Sequence, residues 1–180
     1  IFVDVFFVLS GFVISLNYSK MKSFTDIKLF LYRRFIRLYP LLFFTSTLYF
    51  GYFIFRDILF RYGFSHLFNF ETSNILVDII DYLETILLSN SSPILGNSIG
   101  VNTPSWSISA EFYCYLLFSL IVILRKKFSI LFLTSLSTII SIVLIYFLTD
   151  DFFQTREFGF LRSFIGFNMG CFIYYLYKNK

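Results

Sequence analysis

The chain has 180 residues, of which 57% are hydrophobic, 23% aromatic and only 14% charged, with a formal net charge of +4. A mean hydropathy of +0.75 excludes a soluble domain, whose surface at this length would be largely apolar, and indicates a helical membrane protein. The basic residues cluster beside apolar runs with no reading module near them, which argues against nucleic acid as a partner and makes the charge a statement about membrane topology and lipid.

Five segments are apolar enough to span a bilayer, at about 1–16, 38–55, 105–124, 128–148 and 161–177, where a helix needs ~17–25 residues. The first is short. Ile1 already lies inside its apolar run, with no charged n-region and no small-residue cleavage site, so it reads as a span missing its start and not as a signal peptide. This span carries Asp4, on one face with Gly11 and Ser15. A carboxylate in the membrane either pairs with a cation on a neighbouring helix or serves a site, and Gly11 allows close approach of a backbone or a ligand.

The following basic stretch includes Arg34 and Arg37, one helical turn apart at the inner mouth of the second span. Two guanidinium forks so placed can grip phosphates, or can anchor the helix end among anionic lipid heads. Pro40 suits the first turn of a helix, where the N–H groups lack intrahelical partners, and is read as opening the span at 38. Within 56–104, apolar residues at helical spacing predict an amphipathic helix over about 75–88, with Asp78, Asp81 and Glu84 on its other face, lying on the membrane or capping the bundle. His66, the single histidine, reads as a loop residue at the interface, and 90–104, rich in Ser, Asn, Gly and Pro, as loop.

The third span holds the most informative residue, Glu111, about a turn and a half in. An acid at the centre of a membrane helix costs roughly 2.5–3.5 kcal/mol, and less nearer its end. It survives beside a partner or an aqueous cavity. Ser107, Glu111, Tyr115 and Ser119 recur every four residues, drifting only ~40° per step, and so share one face. A carboxylate with a hydroxyl one turn above and below can orient a base, bind a hydroxyl substrate or titrate; it can equally lock helices together. Thr134, Thr138 and Ser141 form a small polar stripe on the fourth span, suited to packing. On the last span Arg162, Gly166 and Gly170 share a face, and the G-x-x-x-G pattern predicts close helix contact. Arg162 either snorkels outward or pairs with Glu111 or Asp4. Cys114 and Cys171 read as buried thiols.

Alternating the five spans places Lys20, Lys22, Lys28, Arg33, Arg34, Arg37, Arg125, Lys126, Lys127, Lys178 and Lys180 on one side, and nearly all the acids on the other. By the positive-inside rule this is a multi-pass plasma (inner) membrane protein with a cytoplasmic C-terminus.

Three ordered motifs carry a resemblance. The run Val3-Asp4-Val5-Phe6-Phe7-Val8-Leu9-Ser10-Gly11-Phe12 is similar to the signature VDxFFVLSGF, Arg34 to Arg37 to a cytoplasmic R-x-x-R, and Ser105-Trp106-Ser107-Ile108-Ser109-Ala110-Glu111 with Tyr115 to SWSLSxExxxY. Arg162 to Gly170 matches a later stretch more weakly. Together they resemble the acyltransferase 3 family of integral-membrane acyltransferases, over nearly the whole chain.

The resemblance implies an all-α membrane bundle that transfers an acyl group, usually acetyl, from a cytoplasmic acyl-CoA donor to a carbohydrate hydroxyl across the membrane. It puts Glu111 in the reaction centre, where Asp4 is expected with it, and Arg34 and Arg37 at the donor. Ser10, Gly11, Trp106, Ser107, Tyr115 and Arg162 are then supporting residues. It implies no metal and no bound cofactor, acyl-CoA being a substrate. Family members have about ten spans and an essential histidine in a helix before the first motif, which His66 does not match. The expectation is a piece of a longer protein, inactive alone, with its oligomeric state open. Two other readings stay open: a transporter or flippase segment with Glu111 and Asp4 as a proton relay, and a structural membrane subunit.

Overall fold

The computed structural model describes residues 2–62, 74–92, 100–125, 128–149 and 158–178. His66 and the charges Glu71, Lys126, Lys127, Asp150, Asp151, Arg156, Glu157 and Lys180 lie outside the described residues. The regular elements within them are six helices: α1 (Phe2–Tyr18), α2 (Phe24–Arg61), α3 (Ile75–Ile86), α4 (Ser105–Leu124), α5 (Ile130–Leu148) and α6 (Gly159–Lys178). Three of these, α2, α4 and α5, are long and apolar enough to cross a membrane. The apolar α1 is shorter, at 17 residues, and α6 has Arg162, Ser163 and Asn168 buried along it. This is an all-α membrane protein.

One helix corrects the sequence reading. The span expected at 38–55 is part of a single 38-residue helix that starts at Phe24. Ser23 caps it: the Ser23 hydroxyl accepts the Asp26 N–H at 3.1 Å, and the Asp26 carboxylate accepts the Ser23 N–H at 3.0 Å, the reciprocal pair of a capping box. Pro40 is inside the helix and does not open it. At ~1.5 Å per residue the helix is far longer than the ~30 Å hydrocarbon core, and the basic stretch around Arg34 and Arg37 lies within it.

The bundle is built on a backbone-to-backbone contact of α1 and α6. A Cβ added at Gly11 would meet the Phe167 carbonyl oxygen at 2.0 Å, and one at Gly170 the Val8 carbonyl oxygen at 2.0 Å. Small residues on both helices let the backbones meet where dispersion, and no hydrophobic effect, drives association in lipid. Beside this pair, Ile14, Phe30, Tyr115, Phe118 and Phe167 form the buried core joining α1, α2, α4 and α6. Arg125, at the end of α4, donates to the carbonyls of Ser19 and Met21, which pins the turn between α1 and α2.

The amphipathic α3 is turned with its acids inward. Asp78 and Glu84 are buried, whereas Leu76, Ile80, Leu83 and Leu87 are exposed, the arrangement of a helix that shows its apolar face to lipid. Tyr82 joins it to α2 by stacking on Phe50, with ring centroids 4.6 Å apart. The Asn90 side chain donates to Ser105 at 2.8 Å and accepts from Ser109, holding the segment after α3 against the start of α4.

Candidate functional site

Between α1, α2 and α4 lies a cavity of about 190 Å³, to which Ser10, Arg34, Arg37, Glu111 and Tyr115 bring the polar groups. Glu111 is 6% exposed. Its Oε1 accepts from Ser10 of α1 at 3.2 Å and from the Tyr115 hydroxyl one turn along α4. One carboxylate oxygen is thus anchored from two helices, while no described side chain donates to the other.

Arg34 faces the same space. It is 9% exposed, and its Nε has no hydrogen-bond partner. Its guanidinium carbon lies 5.2, 5.8 and 5.5 Å from the ring centroids of Tyr18, Phe30 and Tyr115. A buried ion held in no direct ion pair costs several kcal/mol. Cation–π contacts return ~0.5–2 kcal/mol each and leave the N–H donors unused. Arg37, one turn on, is exposed at the edge of the cavity. The site therefore sets a fixed carboxylate in one cavity with two guanidinium groups, neither of which is in a salt bridge among the described residues.

The acyltransferase 3 family model, described as an acyltransferase domain, matches residues 1–180. The chain belongs to this family. No curated protein and no solved structure matches it.

The motif residues of this acyltransferase 3 chain separate into two groups. Ser10, Arg34, Arg37, Glu111 and Tyr115 meet at the cavity. Asp4, expected beside Glu111, lines no part of it; Arg162 donates to both Asp4 oxygens at 2.7 Å, which resolves the alternatives left open for Arg162. Trp106 belongs to this second group, its ring 6.0 Å from the Arg162 guanidinium and packed edge-on against Phe7. Gly11 serves the helix contact with α6. Ser107, expected one turn above Glu111 as its partner, instead donates to the Pro104 carbonyl at 2.9 Å, the local i to i−3 side-chain-to-backbone bond that serine readily makes. The Ser119 hydroxyl likewise donates to the Tyr115 carbonyl at 2.8 Å.

Tyr18 and Phe30 were missed by the sequence reading. The available signal was Ser23-Phe24-Thr25-Asp26, a capping-box pattern that starts a helix at 24 and so puts Phe30 and Arg34 one turn apart on one face. Both cysteines are free and buried, Cys114 lying 3.3 Å from the Ser163 hydroxyl.

Proposed function

We propose that this acyltransferase takes an acetyl group from a cytoplasmic acyl-CoA and passes it to a hydroxyl of an exported or cell-surface carbohydrate. The observation that carries the proposal is the placement of Arg34, buried and in no salt bridge among the described residues, in one cavity with Glu111. Arg34 and Arg37 are assigned to the donor's phosphates, which guanidinium forks bind bidentately. At about 190 Å³ the space is smaller than the ~300–1,000 Å³ of a site that encloses a drug-sized ligand. It admits the reacting end of a donor and leaves the nucleotide outside.

In the reaction the acceptor oxygen forms a bond to the acyl carbon, the carbon–sulfur bond breaks, and the hydroxyl proton leaves while the thiolate departs. Glu111 is assigned to the proton side. With Oε1 anchored by Ser10 and Tyr115, Oε2 is left to accept from the acceptor hydroxyl or from the group that deprotonates it. A relay between Asp4 and Glu111 fits less well, because Asp4 is committed to Arg162.

The test is ester-linked acetate on envelope carbohydrate in cells carrying the complete protein. Arg34→Ala and Glu111→Gln are each expected to abolish it while the protein stays folded in the membrane. Acetate retained in both variants would sink the assignment.

A further inference from the structure

We propose that Tyr115 is a positioning residue that ties the donor arginine to the reaction-centre carboxylate, with Tyr18 and Phe30 completing a ring cradle for Arg34; the assignment rests on the donor role given to Arg34 above. Tyr115 touches both halves of the site with one side chain: its hydroxyl donates to Glu111, and its ring lies 5.5 Å from the Arg34 guanidinium. The other two rings come from different elements, Tyr18 from the end of α1 and Phe30 from the preceding turn of α2.

The cradle is built from core. Phe30 is 1% and Tyr115 2% exposed, and the rings brace one another, with Tyr18 to Phe30 centroids 4.7 Å apart and Phe30 to Tyr115 5.7 Å apart. Side chains packed on that scale occupy fixed rotamers. Arg34 is therefore held by ring faces, which attract its charge without using its donors. A carboxylate in place of the rings would fix the guanidinium as firmly but neutralise it, as Asp4 does for Arg162. Aromatic packing alone accounts for buried rings. It does not account for a cation at their centre with its Nε unpaired, nor for the hydroxyl of one ring on the neighbouring carboxylate.

Ring and hydroxyl have separable consequences. Tyr115→Phe keeps the ring and leaves Glu111 with Ser10 alone. It is expected to lower kcat roughly tenfold to a hundredfold, as for a lost hydrogen bond to a charged group, with the KM for acetyl-CoA unchanged. Tyr18→Leu removes a ring and is expected to raise that KM roughly threefold to tenfold with kcat near wild type. Tyr18→Phe, which restores the ring, recovers the wild-type KM.

The measurement uses membranes holding the complete protein, radiolabelled acetyl-CoA as donor and the cell's own envelope carbohydrate as acceptor. A Tyr18→Leu KM equal to wild type, or a Tyr115→Phe kcat equal to wild type, overturns the positioning proposal alone. If Tyr18→Leu does not accumulate, Tyr115→Phe carries the test by itself. A wild-type protein that neither binds nor turns over acetyl-CoA overturns the donor reading, and this proposal with it.

Discussion

At the scale of single side chains, this bundle treats its buried cations in opposite ways. Arg162 is 8% exposed and meets Asp4 in a two-pronged pair, with Trp106 beside it. Arg34 is as deeply buried and is met by rings instead. The first arrangement uses the charge to hold α1 to α6; the second, under the proposed function, leaves it for the donor. Asp4→Asn should accordingly be a stability variant. It preserves the side chain's shape, removes the negative charge beside Arg162, and is expected to cost about 1–3 kcal/mol, less than the ~3–5 kcal/mol of a fully buried pair, since the Asp4 side chain is 35% exposed. Thermal unfolding in detergent should show the loss, while the KM for acetyl-CoA stays at the wild-type value. Abolished transfer with stability intact would return Asp4 to the reaction centre.

At the scale of helices, the glycines of α1 and α6 set how closely the two backbones meet. Gly170→Ala drives a methyl group into the Val8 carbonyl oxygen at 2.0 Å and the Phe12 nitrogen at 2.7 Å. Backbone atoms cannot swing aside, so the helices must part. The cost is expected at or above the ~1–3 kcal/mol of ordinary overpacking. Gly166→Ala meets the Phe7 Cβ at 3.1 Å and the Asp4 carbonyl oxygen at 3.3 Å, and should cost less. Gly51→Ala, within α2, finds nothing within 4 Å; as an unhindered helical position it should gain about 0.5–1 kcal/mol. The order of melting temperatures, Gly51→Ala above wild type and Gly170→Ala lowest, checks the contact. Equal values for Gly170→Ala and Gly51→Ala would contradict it.

Helices were legible from sequence to the extent that lipid selects uninterrupted apolar runs, a signal that lies within one segment. The apolar run over 105–124 and the helix Ser105–Leu124 coincide, and the amphipathic pattern near 75–88 marks α3, Ile75–Ile86. The start of α2 was hidden because Lys28, Arg33, Arg34 and Arg37 resemble a solvated loop, although they extend a helix already capped at Ser23. The cavity was less legible. Glu111 was marked by its own cost of burial, but its partner Ser10 is 101 residues away, and the rotation of α1 against α4 is not written in the periodicity of either. The same limit explains Ser107, which has the right spacing toward Glu111 and the wrong hydrogen bond.

At the scale of the whole molecule, the charge distribution and the site have to agree about direction. Arg34 and Arg37 belong to the half of α2 that follows the basic turn at 19–23, and Arg125 grips that same turn from the end of α4. The Asp4–Arg162 pair lies toward the other end of α1. The proposed cytoplasmic nucleotide donor can use Arg34 only if the basic turn faces the cytoplasm, which is the orientation expected from the positive-inside rule. Both requirements lead to the expectation that the C-terminal end of α6 is inside and residues 150–157 are outside. Reporter fusions read this directly: green fluorescent protein after Lys180 should fluoresce, alkaline phosphatase at the same point should be inactive, and alkaline phosphatase inserted within 150–157 should be active. The reverse pattern would turn Arg34 and Arg37 away from the donor's compartment. It would remove the donor assignment even if every side-chain contact around Glu111 were correct, because an anion-binding pocket on the outer side would have to serve a different ligand.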